Sequence, residues 1–320
     1  MGRVSLDRGG IITTVHAAGR SGAGDFGVDA GVGVTALLVA AARAIEARRP
    51  DALARDPYAE RFVRAAPVSA RWPVSPEEVP RGDADPVWGR LARYFGLRTR
   101  VLDDALRAAA RAGTRQFVLL GAGLDTRAFR LDWPSGSTVW EVDRPGVLGF
   151  KERVLAEAGA VPSAGRVPVP VDLRGDWAAA LLGAGLDPGL PVAWLAEGLL
   201  LYLPADAERQ LVRTVDELSA PDSMLGYEVK LLKEARAVRD SPVYAEARER
   251  LGVDLLALFD GDPRPDSAAD LAGRGWRTEV GTPYDHVRRY GRGPRPEPDD
   301  ALAANRWVFA VKGAAGVSRW

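Results

Sequence analysis

Apolar residues along the chain follow two alternating rhythms. Mainly apolar runs at 116–120, 138–142, 167–171, 191–196 and 223–229 alternate with stretches at 145–155, 177–182 and 204–219, where apolar residues recur every three or four positions. The runs predict strands buried on both faces, and the stretches predict helices packed against them. The chain therefore reads as an α/β protein with a doubly wound, mostly parallel sheet. Two later runs, 275–280 and 306–311, bring the sheet to seven strands. A polar, proline-bearing loop and no full helix is expected between these two, so they can pair antiparallel at one edge. Pro168 and Pro170 lack the N–H that a central ladder needs, which predicts that the third strand forms the other edge.

The N-terminal third has a different pattern. Residues 1–30 contain several glycines and no clear period, and they read as a flexible arm. From 31 to 112 the pattern is helical, as in a cap or lid. An alanine-rich helix at 32–49 is stopped by Pro50, and a second short helix begins near 56–58. A proline-marked excursion near 67–86 is a lid or a surface loop, and a longer helix at 87–112 turns Trp88, Leu91, Tyr94, Phe95, Leu102 and Leu106 inward. The remainder, 113–320, reads as the Rossmann-like domain, with a charged helical insertion near 230–270.

Composition narrows the chemistry. The 320 residues are 47% hydrophobic and 27% charged, with zero formal net charge. These are globular values, and they favour a small-molecule partner over nucleic acid or an anionic membrane. There is no cysteine and there are two histidines, His16 and His286. Disulfides and thiolate chemistry are excluded, no metal site is expected, and general bases are scarce. No apolar run reaches the roughly 20 residues of a membrane helix, so a cytoplasmic location is the expectation.

The first strand ends at Gly121 and Gly123, where missing Cβ atoms let a ligand press on the backbone. About twenty residues on, Asp143 closes the second strand, where an acid accepts hydrogen bonds from ribose hydroxyls. A nicotinamide fingerprint needs a third glycine where Thr126 stands. Asp125 repels pyrophosphate but can pair with an ammonium, which suits S-adenosyl-L-methionine. A plain strand-turn-helix without ligand, and an NAD(P)-dependent oxidoreductase, remain alternatives. Asp172 and Glu197 close the third and fourth strands, so the candidate ligand groups converge on the carboxyl ends of the sheet.

These segments resemble a family. Leu120-Gly121-Ala122-Gly123-Leu124-Asp125-Thr126-Arg127, Glu141-Val142-Asp143, Val171-Asp172-Leu173, Ala196-Glu197-Gly198-Leu199-Leu200-Leu201-Tyr202-Leu203, Val32-Gly33-Val34-Thr35-Ala36-Leu37 and Arg98-Thr99-Arg100 are similar to the S-adenosyl-L-methionine-dependent methyltransferases of actinobacteria. That group is related to leucine carboxyl methyltransferase and to polyketide carboxyl O-methyltransferases. The resemblance spans about 31–310 and implies the class I methyltransferase version of the sheet. It also implies that Arg98 holds the cofactor carboxylate, that Gly121 and Gly123 approach its methionine part, and that Asp143 takes the ribose. Asp172 and the backbone of Leu173 would read adenine, and Glu197 would lie by the ammonium or sulfonium. Gly31 and Leu102 depart from the serine and phenylalanine frequent in the family.

The expected function is O-methylation of a carboxylate on a small molecule or peptide, because an ionised acid needs no base. The alternative is a phenolic or other hydroxyl of a secondary metabolite. Each candidate also has an ordinary reading. Arg98 could be a surface arginine, Asp172 a helix cap, Glu197 a structural acid at a strand-end turn, and Tyr202 core packing. Glu197 and Tyr202 are the catalytic candidates. Arg127 and Arg130 are expected to pair with acids at the surface, and Trp72 and Trp88 either wall an acceptor pocket or pack.

Overall fold

The computed structural model describes residues 27–28, 30–231, 241–297 and 300–313. The arm at 1–26, and the part of the insertion at 232–240, lie outside the described residues.

Seven strands form one sheet: β1 (Gln116–Leu120), β2 (Thr138–Asp143), β3 (Gly165–Pro170), β4 (Val192–Ala196), β5 (Met224–Lys230), β6 (Trp276–Gly281) and β7 (Asn305–Lys312). Their order is β3-β2-β1-β4-β5-β7-β6. The first five are parallel, and β7 is antiparallel to both β5 and β6. β3 lies at an edge, as its two prolines require. Strand order reverses between β1 and β4, so a crevice opens beyond their carboxyl ends. The loop expected between the last two strands contains a helix, Pro283–Tyr290. Pro283 opens it, and Thr282 with Asp285 forms a capping box, so local capping made a helix from a polar segment.

The helices fall into two sets. In the N-terminal part, α1 (Val32–Ala47), α2 (Ala59–Ala65) and α3 (Leu91–Arg111) share a buried cluster with α5 (Pro145–Glu157) and α8 (Pro242–Leu251). Leu102 and Leu106 of α3 also pack beneath Phe117 and Leu119, so this long helix lies against the same sheet that it precedes in sequence. The opposite face, with Val118, Trp140, Trp194 and Leu225, is covered by α6 (Trp177–Gly183), α7 (Ala205–Glu217) and α9 (Ser267–Gly273). A four-residue turn of helix, α4 (Arg127–Arg130), is all that follows the β1 turn, and the Pro283–Tyr290 helix is α10. Trp72 and Trp88 pack with tilted rings, centres 5.5 Å apart, inside the core. They are packing residues, and neither lines the cavity beyond the strand ends.

Candidate active site

The crevice beyond the strand ends is a cavity of about 1110 Å³. Arg98, Gly121, Gly123, Asp125, Asp143, Asp172, Leu173, Glu197 and Tyr202 all line it. The sheet's parallel register brings together residues from five separate segments of the chain.

Gly121 and Gly123 have φ of +63° and +47°, in the left-handed region that favours glycine. The turn they make is fixed from the next strand, because the Gly123 N–H donates to Asp143 Oδ2 at 2.7 Å and the Ala122 N–H to the Val142 carbonyl at 3.0 Å. Asp143 Oδ1 accepts the Arg144 N–H at 2.7 Å. Burial pushes the Asp143 carboxyl up against those two backbone donors. Each oxygen keeps a further lone pair for a donor in the cavity.

Other positions differ from the sequence expectation. Asp125 is not a free carboxylate, since it accepts the main-chain N–H of Arg127 at 2.7 Å and also holds the Arg127 guanidinium. Arg127 and Arg130 do pair with acids, but in the interior. Their side chains are 0% and 5% exposed, and both reach Asp103 on α3. Arg98 also lies inside the protein, with Nε 2.9 Å from Glu197 Oε1 and Nη1 2.6 Å from Glu228 Oε2. Glu197 is shared, because its Oε2 accepts from Arg127 Nη1 at 2.7 Å. Burial pushes Glu197 up, but the Arg127 and Arg98 guanidiniums outweigh it and hold the carboxyl far below the usual range. Asp172, two residues past β3, forms a two-point pair with Arg174, which lowers its pKa. Tyr202 is pushed up to about 12, chiefly by burial. His286 does not line the cavity; its ring packs on Trp307 at 5.0 Å, and burial lowers its pKa. His16 lies outside the described residues.

Three residues at the site escaped the sequence reading. Glu228 near the end of β5 is one more strand-end acid, so the rule that found Asp143 and Glu197 applies to it. Arg43 on α1 donates to the Leu124 carbonyl at 2.7 Å, fixing the glycine turn from the cap. Tyr94 donates to Glu228 and accepts from Asn305 Nδ2 at 2.7 Å. Arg43 and Tyr94 carry no positional signal, because they meet the site only through packing of α1 and α3.

A model of the family described as leucine carboxyl methyltransferase matches residues 36–216, more than half of the chain. The chain belongs to the leucine carboxyl methyltransferase family. This family member is a methyltransferase that uses S-adenosyl-L-methionine. A "Putative S-adenosyl-L-methionine-dependent methyltransferase" of Streptomyces coelicolor is 63% identical over 89% of this chain and 94% of its own. A protein with the same description from Saccharopolyspora erythraea is 49% identical over 77% of this chain and 84% of its own. The solved structure of a DUF574 family protein from Streptomyces avermitilis, 17% identical, covers 79% of this chain and 96% of its own with a TM-score of 0.50, a likeness of fold. Family membership sets aside the nicotinamide alternative. Among the described residues, no helix of the methyltransferase is long and apolar enough to cross a membrane.

The cavity suits the cofactor. The glycine turn presents bare backbone, and a Cβ on Gly121 would stand 3.0 Å from Leu199 Cδ1. Asp143 has acceptor capacity to spare, and Val147, Val171 and Leu173 add apolar surface beside it. The volume exceeds the range of about 300–1,000 Å³ usual for one small ligand, so a donor and an acceptor can share it.

Proposed function

We propose that this methyltransferase esterifies a carboxylate of a small molecule or peptide. The supporting observation is that, of the catalytic candidates lining the cavity among the described residues, neither Glu197 nor Tyr202 is fit to deprotonate a neutral hydroxyl near pH 7. Glu197 is clamped in its ionised form by two arginines, a state that makes it a weak base. Tyr202 keeps its proton to about pH 12. A carboxylate acceptor is already ionised and asks for no base.

S-adenosyl-L-methionine supplies a methyl group on a positively charged sulfur. In this reading Gly121 and Gly123 accommodate its methionine part, Arg98 its carboxylate, and Asp143 the ribose hydroxyls. Asp172 and the Leu173 backbone take the adenine edge, and Glu197 the cationic side. Arg98 reaches its ligand with Nη2, since Nε and Nη1 are engaged by the two glutamates. The residues at 31–112 act as the cap that excludes water, and those from 113 onward form the cofactor-binding domain. Alignment of acceptor and donor is the protein's contribution, worth up to about 7–11 kcal/mol in well-oriented systems.

Labelled methyl donor, incubated with the enzyme and a metabolite extract of the source cells, is expected to give a base-labile product. Mild alkali should release the label as methanol, as from a methyl ester. A base-stable label, with a rate that climbs above neutral pH, would instead indicate a hydroxyl acceptor of a secondary metabolite.

A further inference from the structure

One group of residues lining the cavity is built differently from the acids and glycines. Tyr202, from the loop after β4, lies 5.9 Å ring to ring from Phe259, which lies 6.0 Å from Tyr244 on α8. The Lys230 ammonium stands 5.9 Å over the Tyr244 ring. Val243 and Leu255 continue this wall. Tyr202 and Phe259 belong to none of the buried core clusters. These rings are half-buried with the cavity before them, so they are not simply interior filler.

The wall is fixed in place. The Asp260 N–H donates to the Leu201 carbonyl at 2.9 Å, and Arg264 Nη1 donates to the Leu200 and Leu203 carbonyls at 2.8 and 2.9 Å. These bonds tie the segment between β5 and β6 to the loop that carries Tyr202 and follows Glu197. The sheet does not need this segment to close its order, since β5 pairs with β7. It also lies beyond 36–216, the part of the chain that the family model matches.

We propose that Tyr202, Tyr244 and Phe259 form the acceptor compartment and select an apolar carboxylic acid, with Phe259 as the specificity-determining residue. This deepens the carboxylate reading above and rests on it. Apolar acceptor surface replaces water on the rings, whereas a short polar acid would leave them wet or give up its own hydration for little contact.

The test uses the full chain saturated with S-adenosylhomocysteine, titrated calorimetrically with cinnamate, decanoate and succinate. Cinnamate and decanoate are expected to bind and succinate not. Phe259→Ala should weaken the two apolar acids about tenfold or more while leaving S-adenosylhomocysteine affinity unchanged. Tyr244→Leu, which keeps apolar bulk, should weaken them less. The proposal is overturned if succinate binds as well as cinnamate, if neither apolar acid binds, or if Phe259→Ala binds cinnamate like the parent. Replacing S-adenosylhomocysteine with labelled donor and adding p-cresol separates the two claims. Base-stable label on p-cresol, with none on the acids, removes the carboxylate reading. Loss of the Phe259 dependence removes the compartment.

Discussion

Arg98 Nη1 lies 2.6 Å from Glu228 Oε2, an ion pair in which both side chains are only 6% exposed. It fastens the cap helix α3 to the carboxyl end of β5. Because Arg98 also holds Glu197, one guanidinium joins the cap to two strand ends of the site. Removing Glu228 leaves buried Arg98 only Glu197, which Arg127 already shares, and takes the acceptor from the Tyr94 hydroxyl. Glu228→Ala is therefore expected to cost about 3–5 kcal/mol of unfolding free energy, measured by urea denaturation. A loss under 1 kcal/mol would mean that the pair is loose or wet.

Arg98→Ala should disturb both folding and cofactor binding, because the residue has structural partners as well as its proposed ligand. Calorimetry with S-adenosylhomocysteine, on protein shown to be folded by circular dichroism, separates the effects. Normal affinity in the folded variant would confine Arg98 to the ion-pair network.

Asp143→Ala removes the acceptor for the Gly123 and Arg144 N–H groups and the proposed ribose contact. Cofactor affinity is expected to fall by about 1.5–3 kcal/mol, roughly 10- to 150-fold. An unchanged dissociation constant would take Asp143 out of the ribose site.

Asp172 offers the opposite case. Its pair with Arg174 is solvent-exposed, with the arginine side chain 68% accessible. Asp172→Ala should therefore cost at most about 1 kcal/mol of stability. A drop in S-adenosylhomocysteine affinity without a change in the urea midpoint would fit a residue serving the ligand, whereas an unaltered affinity would leave it a turn acid.

Two interior acids outside the site set a pH dependence. Burial raises Glu46 and Glu208 to about 7, each against the pull of nearby arginines. At these two groups the folded chain then holds more protons than the unfolded chain between the ordinary value of 4.5 and about 7, while the single lowered His286 acts the other way. Stability should decline as pH rises through that window and level off above it. Glu208→Gln is expected to flatten the decline seen in urea midpoints from pH 5 to 7.5. A parent midpoint that rises across this range would contradict the assignment.

Much of the fold was legible in order along the chain because it follows from local rules. Mainly apolar runs gave the parallel strands, Pro168 and Pro170 marked an edge, and Gly121, Gly123 and Asp143 marked a strand-end ligand site. Those signals are encoded residue by residue, through φ, hydrogen-bonding capacity and burial on both faces. The α10 segment is too polar to show an apolar helical period, and its helix rests instead on the capping of Thr282, Pro283 and Asp285.

The sequence by itself determined the α/β sheet, the strand ends that carry acids and glycines, and the scarcity of bases. Only the tertiary structure decided what those groups touch. It turned Asp125 and Arg127 toward each other in the interior, set Arg98 between Glu197 and Glu228, and brought Phe259 against both Tyr202 and Tyr244. The reason is physical. A charge buried at a chain crossing must find its partner in space, and partners about a hundred or more residues away, as Glu197 and Glu228 are from Arg98, leave no trace in local spacing.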